Sequence, residues 1–262
     1  KFHSLALATD GTVWRWGQYR NNSVTITGLP DALTPVQMPG LSQVVAITSG
    51  HDHSFALKSD GTLWSWGANL YGQLGDGSTT PRGSPVVVQG LPAGVPIKMV
   101  SANYPHSLAL LEDGAVWAWG NNTSGQLGDN TTTNRSRPTQ VRGPGNVGFL
   151  TDIMAIAAGQ EYNLAVKRDG TVWAWGSNVS GQLGDNTTTR RLTPVPVIGL
   201  LNVRAVAAGN LHSLAVKSDG TIWAWGRNAN GQLGNPVMVN HLQPVQVNGV
   251  SSATRLSAGG SF

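Results

Sequence analysis

The stretch HSLAVKSDGTIWAWGRNANGQLG, residues 212–234, decides the fold, because close copies of it occur upstream. HSFALKSDGTLWSWGANLYGQLG begins at residue 53, and HSLALLEDGAVWAWGNNTSGQLG begins at residue 106. The first position of this phrase, the anchor, is occupied by His3, His53, His106, Tyr162 and His212. Successive anchors are 50, 53, 56 and 50 residues apart, which indicates an array of about five repeats.

We interpret the chain as a single domain, residues 1–262, built from these repeats. Their approximate boundaries are 3–52, 53–105, 106–161, 162–211 and 212–262.

Each repeat is typical of antiparallel strands. An Asp-Gly pair follows the anchor segment, as at 219–220, and predicts a tight hairpin of type I′. A Trp-x-Trp-Gly segment comes next, as at 223–226, and its two Trp share one face of a strand. No segment has a capped helical period, so we expect three to four strands per repeat and essentially no helix.

One such sheet cannot bury both of its faces, but stacking against neighbouring sheets can. An all-β repeat of this length predicts the blade of a β-propeller. The chain begins at a second strand, HSLAL, and ends with a first strand, ATRLSAGG. We therefore expect a closed ring of about five blades, in which residues 252–259 pair with residues 3–8.

These residues resemble the regulator of chromosome condensation repeat family. The shared run is Gly-x-x-His-Ser-Leu-Ala-Leu, Asp-Gly, Val-Trp-Ala-Trp-Gly and Asn-x-x-Gly-Gln-Leu-Gly, and it covers nearly the whole chain. The resemblance implies a β-propeller, commonly of seven blades. It implies no single function, because relatives include exchange factors for small GTPases that bind chromatin, secreted β-lactamase inhibitors and bacterial surface proteins. The low charge and the many Asn and Thr are more similar to the bacterial members.

Composition excludes several kinds of chemistry. The absence of Cys rules out disulfides, a thiolate nucleophile and Cys-ligated zinc. The net charge is +4, and the Lys and Arg residues are scattered along the chain, with no basic run that indicates nucleic-acid binding. No apolar run approaches the length of a membrane span.

The polar residues that recur in every repeat favour a structural role over a catalytic one, because each blade needs the same packing. We expect the anchor His to hydrogen-bond within its own blade, and the Asp of each Asp-Gly pair to serve the turn. We expect the Asp of Gly-Gln-Leu-Gly-Asp, such as Asp129, to bond local backbone. No Ser-His-Asp arrangement, phosphate loop or zinc signature is present, so we predict no catalytic residue, cofactor or metal.

The order of the strands within each blade predicts where a partner binds, because successive connections between antiparallel strands fall on alternate faces. We call this argument strand parity. The Gly-x-x-His link and the long loop after Trp-Gly fall on one face, the loop face, and the Asp-Gly turn falls on the opposite turn face. The partner-binding candidates are loop-face residues that break the repeat: Tyr19, Arg20, Tyr71, Tyr104, Arg135, Glu161, Arg190 and Arg191.

The sequence favours a non-enzymatic scaffold, extracellular or on a bacterial cell surface, that binds a protein partner. Two alternatives stay open: a protein inhibitor or small-GTPase regulator, and a module that binds surface glycans. We expect a monomeric propeller without a nucleic-acid partner, and the sequence is compatible with a segment of a longer protein.

Overall fold

A computed structural model describes residues 2–21 and 24–259 of the chain. Its regular structure is antiparallel sheet, apart from a single turn of 3-10 helix at Pro144–Asn146. Five sheets follow one another along the chain, one per repeat. The all-β blade architecture predicted from the repeat is therefore confirmed.

Each blade takes its strands in chain order. In blades 2 to 5 the first strand is provided by the end of the preceding sequence repeat, whereas blade 1 begins with the strand that is second in the other blades. Blade 1 contains β1 (Phe2–Leu7), β2 (Val13–Gln18) and β5 (Ala32–Gln37), with a small hairpin of β3 (Arg20–Asn21) and β4 (Val24–Thr25) between the last two. Blade 2 contains β6 (Val44–Ser49), β7 (His53–Lys58), β8 (Leu63–Gly67) and β9 (Arg82–Val87). Blade 3 contains β10 (Ile97–Asn103), β11 (His106–Leu111), β12 (Val116–Gly120) and β13 (Arg135–Gln140). Blade 4 contains β14 (Ile153–Ala158), β15 (Tyr162–Lys167), β16 (Val172–Gly176) and β17 (Arg191–Pro196). Blade 5 contains β18 (Val203–Ala208), β19 (His212–Lys217), β20 (Ile222–Gly226) and β21 (His241–Gln246).

The Asp-Gly segments are hairpins, but their turn type differs from the prediction. Gly220 has a φ of +82°, whereas Asp219 is not among the residues with positive φ. The Gly220 N–H donates to the Lys217 carbonyl, and the Lys217 N–H donates to the Thr221 carbonyl. This is a type I turn followed by a left-handed Gly, so the type I′ prediction was wrong. The Asp219 carboxylate accepts bonds from the N–H and hydroxyl of Thr221, which stabilises this longer loop.

In blades 3 to 5, the second Trp of the Trp-x-Trp segment joins its blade to the preceding one. In blades 2 to 5 this side chain is completely buried. The indole N–H of Trp119 donates to the Gln73 carbonyl of the preceding blade at 2.9 Å. Trp175 and Trp225 make the same bond to the carbonyls of Gln126 and Gln182. The first Trp is less buried, and in blade 5 the Nζ of Lys217 lies 5.6 Å from the ring of Trp223.

The anchor His also bonds across blades, so the predicted bond within its own blade was wrong. His53 Nε2 lies 3.0 Å from the hydroxyl of Ser107 in blade 3. His106 Nε2 lies 2.7 Å from Oδ1 of Asn163 in blade 4. The anchor side chain points sideways to the following sheet, which strand parity along one chain does not reveal.

Each long loop of blades 2, 3 and 4 is held by an Asn–Asp–Arg clamp. In blade 4, Asn178 Nδ2 donates to Asp185 Oδ1 at 2.9 Å, and the Arg191 Nη2 atom lies 2.8 Å from Asp185 Oδ2. Asp185 Oδ1 also accepts the Thr187 N–H, which confirms the predicted local bonding of this Asp. Blades 2 and 3 repeat the clamp with Asn69, Asp76 and Arg82, and with Asn122, Asp129 and Arg135.

The predicted pairing of residues 252–259 with residues 3–8 is not present in the described part of the chain. Residues 252–259 form no strand, and β1 pairs with β2 alone. The segment still takes the path of a first strand beside blade 5, because the Ala253 N–H donates to the Gly220 carbonyl. A Cβ added at Gly231 would meet nothing within 4 Å among the described residues, whereas a Cβ added at the equivalent Gly181 would meet Leu242 of the next blade. Closure of the ring is therefore not shown, and it stays a prediction.

We expect His53→Ala to lower the free energy of unfolding by about 1–3 kcal/mol, because the buried Ser107 hydroxyl loses a partner. His212→Ala should cost less, because no residue of a following blade bonds its ring in the described structure. Urea unfolding of both variants measures the difference. An equal loss would indicate that His212 also has a partner across a blade junction, as a closed ring would provide.

Buried anchor His should make the protein less stable in acid. Burial lowers the pKa of His53 to about 3 and that of His106 to about 4, from 6.5. The unfolded chain then binds more protons between pH 6.5 and 4, so stability is lost as the pH falls through this window. Each His contributes up to about 1.4 kcal/mol per pH unit. Urea midpoints of His53→Gln should depend less on pH across the same window, and an unchanged slope would contradict the assignment.

We expect Asp185→Asn to loosen the blade 4 loop, because the Arg191 guanidinium loses its carboxylate partner. The free energy of unfolding should fall by about 1–3 kcal/mol, and limited proteolysis should cleave residues 177–190 faster. The matched control is Asp169→Asn on the turn face, where an amide oxygen can still accept the Thr171 N–H. Equal effects of the two substitutions would show that the clamp contributes nothing specific.

Candidate partner-binding face

The loop face predicted from strand parity is present in the structure. In blades 2 to 5, the link between the first and second strands lies beside the start of the long loop. The Ala68 N–H donates to the Asp52 carbonyl in blade 2, and the Ser177 N–H donates to the Glu161 carbonyl in blade 4. The turns pack instead against the connections between blades, as where the Val203 N–H donates to the Gly170 carbonyl. Links and long loops therefore share one face, and the turns lie on the other.

The first strands of blades 2 to 5, together with residues 258 and 259, line a central space whose mouth lies on the loop face. This space has a volume of about 570 Å³. It is lined by Ser49, Gly50, His51, Ala102, Asn103, Ala158, Ala208, Asn210, Ala258 and Gly259. These residues lie at the ends of the first strands and in the links that follow. Most of the lining is Ala and Gly, and its larger side chains are polar: His51, Asn103 and Asn210. His51 also contacts the ring of Tyr104, so Tyr104 lies beside this space.

Three of the predicted site residues come together at this mouth. Tyr104 lies in the blade 3 link, Glu161 in the blade 4 link and Tyr71 in the long loop of blade 2. Tyr104 is 36% exposed. Glu161 Oε2 accepts a bond from the Ser124 hydroxyl at 3.0 Å, which fixes the carboxylate between blades 3 and 4. The three side chains come from separate blades, so the tertiary structure is what assembles them.

The environment of Tyr104 is electronegative. Burial raises the pKa of the Tyr104 hydroxyl above its ordinary value, and the neighbouring Tyr71 hydroxyl raises it further. The carboxylates of Asp52 and Glu161 add to this rise in pKa, because a phenolate would be repelled by both. A positively charged group at this position would be attracted by the same carboxylates.

Sequence reasoning missed two residues of this cluster. The centroid of the His51 ring lies 4.8 Å from that of Tyr104, and His51 Nδ1 lies 2.5 Å from Asp52 Oδ2. The sequence signal was available, since the two positions between the Gly and the anchor His are the variable part of an otherwise uniform phrase. They read His-Asp, Tyr-Pro, Gln-Glu and Asn-Leu in blades 2 to 5.

The predicted Arg candidates have different environments. Arg190 is exposed, and its Nη1 donates to the Thr123 carbonyl of blade 3 at 3.3 Å. Arg135 and Arg191 were predicted as partner-binding residues, but each is an element of a loop clamp, paired with Asp129 and Asp185. Their guanidinium groups hold the loops, so their first role is structural.

Tyr19 is not an exposed loop residue, which corrects the sequence-based expectation. Its side chain is completely buried, its ring stacks on His3 at 3.9 Å, and its hydroxyl lies 2.9 Å from the Ser54 hydroxyl. It fills the junction between blades 1 and 2, where the first repeat lacks Gly-Gln-Leu-Gly. Arg20 lies in β3, and its side chain is outside the described residues.

Two further findings concern the described residues. No three His, Asp or Glu side chains among them stand close enough together to hold a metal ion. No helix within residues 2–21 and 24–259 has the length and apolar character needed to cross a membrane.

Comparison with known sequences identifies relatives of this chain. The chain is 34% identical over 200 residues to the human "Probable E3 ubiquitin-protein ligase HERC6", covering 74% of this chain and 19% of that protein. It is 31% identical over 194 residues to the "Ultraviolet-B receptor UVR8" of Arabidopsis thaliana, covering 73% of this chain and 43% of that protein. The chain thus spans between a fifth and a half of the length of these curated relatives.

Solved structures share the fold. Human WBSCR16 superposes with a TM-score of 0.83 at 24% identity, covering 99% of this chain and 68% of that chain. Prp20p of Saccharomyces cerevisiae gives a TM-score of 0.83 at 24% identity, covering 99% of this chain and 65% of that chain. All five blades therefore superpose together on about two thirds of each of these longer chains.

The family comparison agrees with the repeat, the blades and the junctions between them. The RCC1-like domain matches residues 1–262, the whole of the sequence. The chain therefore belongs to the RCC1-like domain family, whose repeat forms the blades of this propeller.

Proposed function

We propose that the chain is a non-catalytic scaffold that binds a protein partner through its loop face, around the mouth of the central space. The observation that carries this proposal is the position of Tyr104, a partly exposed aromatic ring between carboxylates of the two adjacent blades. Aromatic residues on a rigid surface are favoured anchors of protein interfaces.

The rigidity of the face supports this function. The Asn–Asp–Arg clamps fix three of the long loops, and the links are tied to those loops by backbone hydrogen bonds. Binding then costs little ordering entropy, because the contact surface exists before the partner arrives. The anchor His side chains bond across blades and are consumed in structure, which favours binding over acid–base catalysis.

The relatives support protein binding in general terms. The structural report on Prp20p describes binding properties to Gsp1p and histones, and a second structure shows Kap60 bound to the yeast protein. Those partners belong to Prp20p. For this chain they support a propeller that acts through protein contacts, while an extracellular location and a bacterial source stay predictions.

A site-specific crosslinking experiment tests the proposal. A benzoylphenylalanine in place of Tyr71 on the loop face should capture a partner from extracts of the source cells, and excess unmodified protein should suppress the capture. The same probe in place of Thr62, on the turn face, should capture nothing that is suppressed in this way. Saturable capture from the turn face alone would contradict the proposal.

Regulation of a small GTPase is the second candidate, favoured by the fold shared with Prp20p. If it holds, the protein should accelerate release of a fluorescent guanine nucleotide from a GTPase of the same organism. Arg190→Ala and Tyr104→Ala should then reduce that acceleration. Release that is unaffected by the protein would remove this candidate and leave the scaffold proposal intact. Glycan binding stays a prediction, which a glycan array would examine.

A further inference from the structure

The links around the mouth of the central space place two carboxylates in equivalent positions on either side of blade 3. Asp52 in blade 2 and Glu161 in blade 4 each immediately precede an anchor position. Blade 3 has Pro105 at that position and Tyr104 before it. The repeat therefore aligns an acidic, an aromatic and a second acidic group along the same rim of the mouth.

Glu161 differs from the acidic residues of the loop clamps. Asp76, Asp129 and Asp185 each have an Arg partner at 2.8 Å. Within residues 2–21 and 24–259, no Lys or Arg forms an ion pair with Glu161, whose hydrogen bond comes from the neutral Ser124. Glu161 is therefore held in place by a neutral donor, and its negative charge is not used in an ion pair with a Lys or Arg among the described residues.

The combination of a Tyr ring and a fixed carboxylate suits a planar cation. A guanidinium can lie over an aromatic face within about 6 Å of its centroid. The same group can donate two parallel hydrogen bonds to a carboxylate, which an ammonium cannot do. A neutral sugar lacks the charge, and an anion would be repelled by Asp52 and Glu161.

We propose that the mouth of the central space recognises an arginine side chain in a basic segment of the protein partner. The ring of Tyr104 stacks on the guanidinium, and the Glu161 carboxylate accepts its hydrogen bonds. Asp52, whose carboxylate is hydrogen-bonded to His51, lies on the other side of Tyr104, and the small lining of the central space leaves room for the segment. This inference rests on the proposed function and specifies the chemistry of the partner.

The test uses three fluorescein-labelled heptapeptides, in which Gly alternates with Arg, with Lys or with citrulline. Fluorescence anisotropy measures the binding of each peptide to the protein. The Arg peptide should bind at least about tenfold more tightly than the citrulline peptide, which is neutral and nearly the same shape, and several-fold more tightly than the Lys peptide. Glu161→Gln and Tyr104→Ala should each weaken binding of the Arg peptide about 5–10-fold, and Tyr104→Phe should retain it.

Glu112→Gln is the matched control, because it removes one exposed negative charge beside a turn. It should leave binding unchanged. Equal effects of Glu112→Gln and Glu161→Gln, equal binding of the Arg and Lys peptides, or no detectable binding would each overturn the inference. If loop-face crosslinking persists while Glu161→Gln has no effect on the captured partner, this inference fails and the proposed function stands. If loop-face crosslinking is absent as well, both fail.

Discussion

The structure depends on one kind of buried hydrogen bond, repeated between blades. In each case the indole N–H of a Trp donates to the backbone carbonyl of a Gln in the preceding blade. Trp119, Trp175 and Trp225 are each completely buried, and each donates this bond. Leaving an indole N–H buried without a partner is costly. The Gly of Gly-Gln-Leu-Gly lies against the same indole, and a Cβ at Gly128 would come within 2.9 Å of Trp175 Nε1. Trp and this Gly must therefore recur together, and the Gln recurs because its side-chain Oε1 accepts the N–H of the residue two positions before it, as Gln182 does from Ser180. These linked requirements explain why one phrase is repeated along the chain.

This requirement divides each blade into a fixed part and a variable part. The strands and their junctions are held by the Trp–Gln bond and by the anchor His. The two link positions before the anchor take no part in these side-chain contacts, so they can change without loss of packing. They carry the His51–Asp52 pair in blade 2, Tyr104 in blade 3 and Glu161 in blade 4. Partner recognition can thus evolve on the rim of a scaffold whose stability is determined elsewhere.

The junction between blades 1 and 2 shows how a departure from the phrase is accommodated. The first repeat lacks Gly-Gln-Leu-Gly, and Trp66 Nε1 has no carbonyl partner in the described structure. Tyr19 fills this junction instead, with its ring on His3 and its hydroxyl near Ser54. A residue that breaks the repeat can therefore be a packing substitute as readily as a binding residue. Exposure, which sequence alone does not give, separates Tyr19 from Tyr104.

The sequence by itself determined the number of blades in this stretch, their strand order and the two faces, because strand alternation and hairpin positions are local properties of the chain. It identified Tyr71, Tyr104 and Glu161 as residues outside the repeat, but only the tertiary structure brought them to one rim. The direction of the His bonds, the Arg pairs of the clamps and the burial of Tyr19 were likewise decided by contacts between blades. The position of residues 252–259 relative to β1 depends on the rotation between successive blades, which is set by the packing of whole sheets. That rotation accumulates from many side-chain contacts, and no single motif in the sequence specifies it.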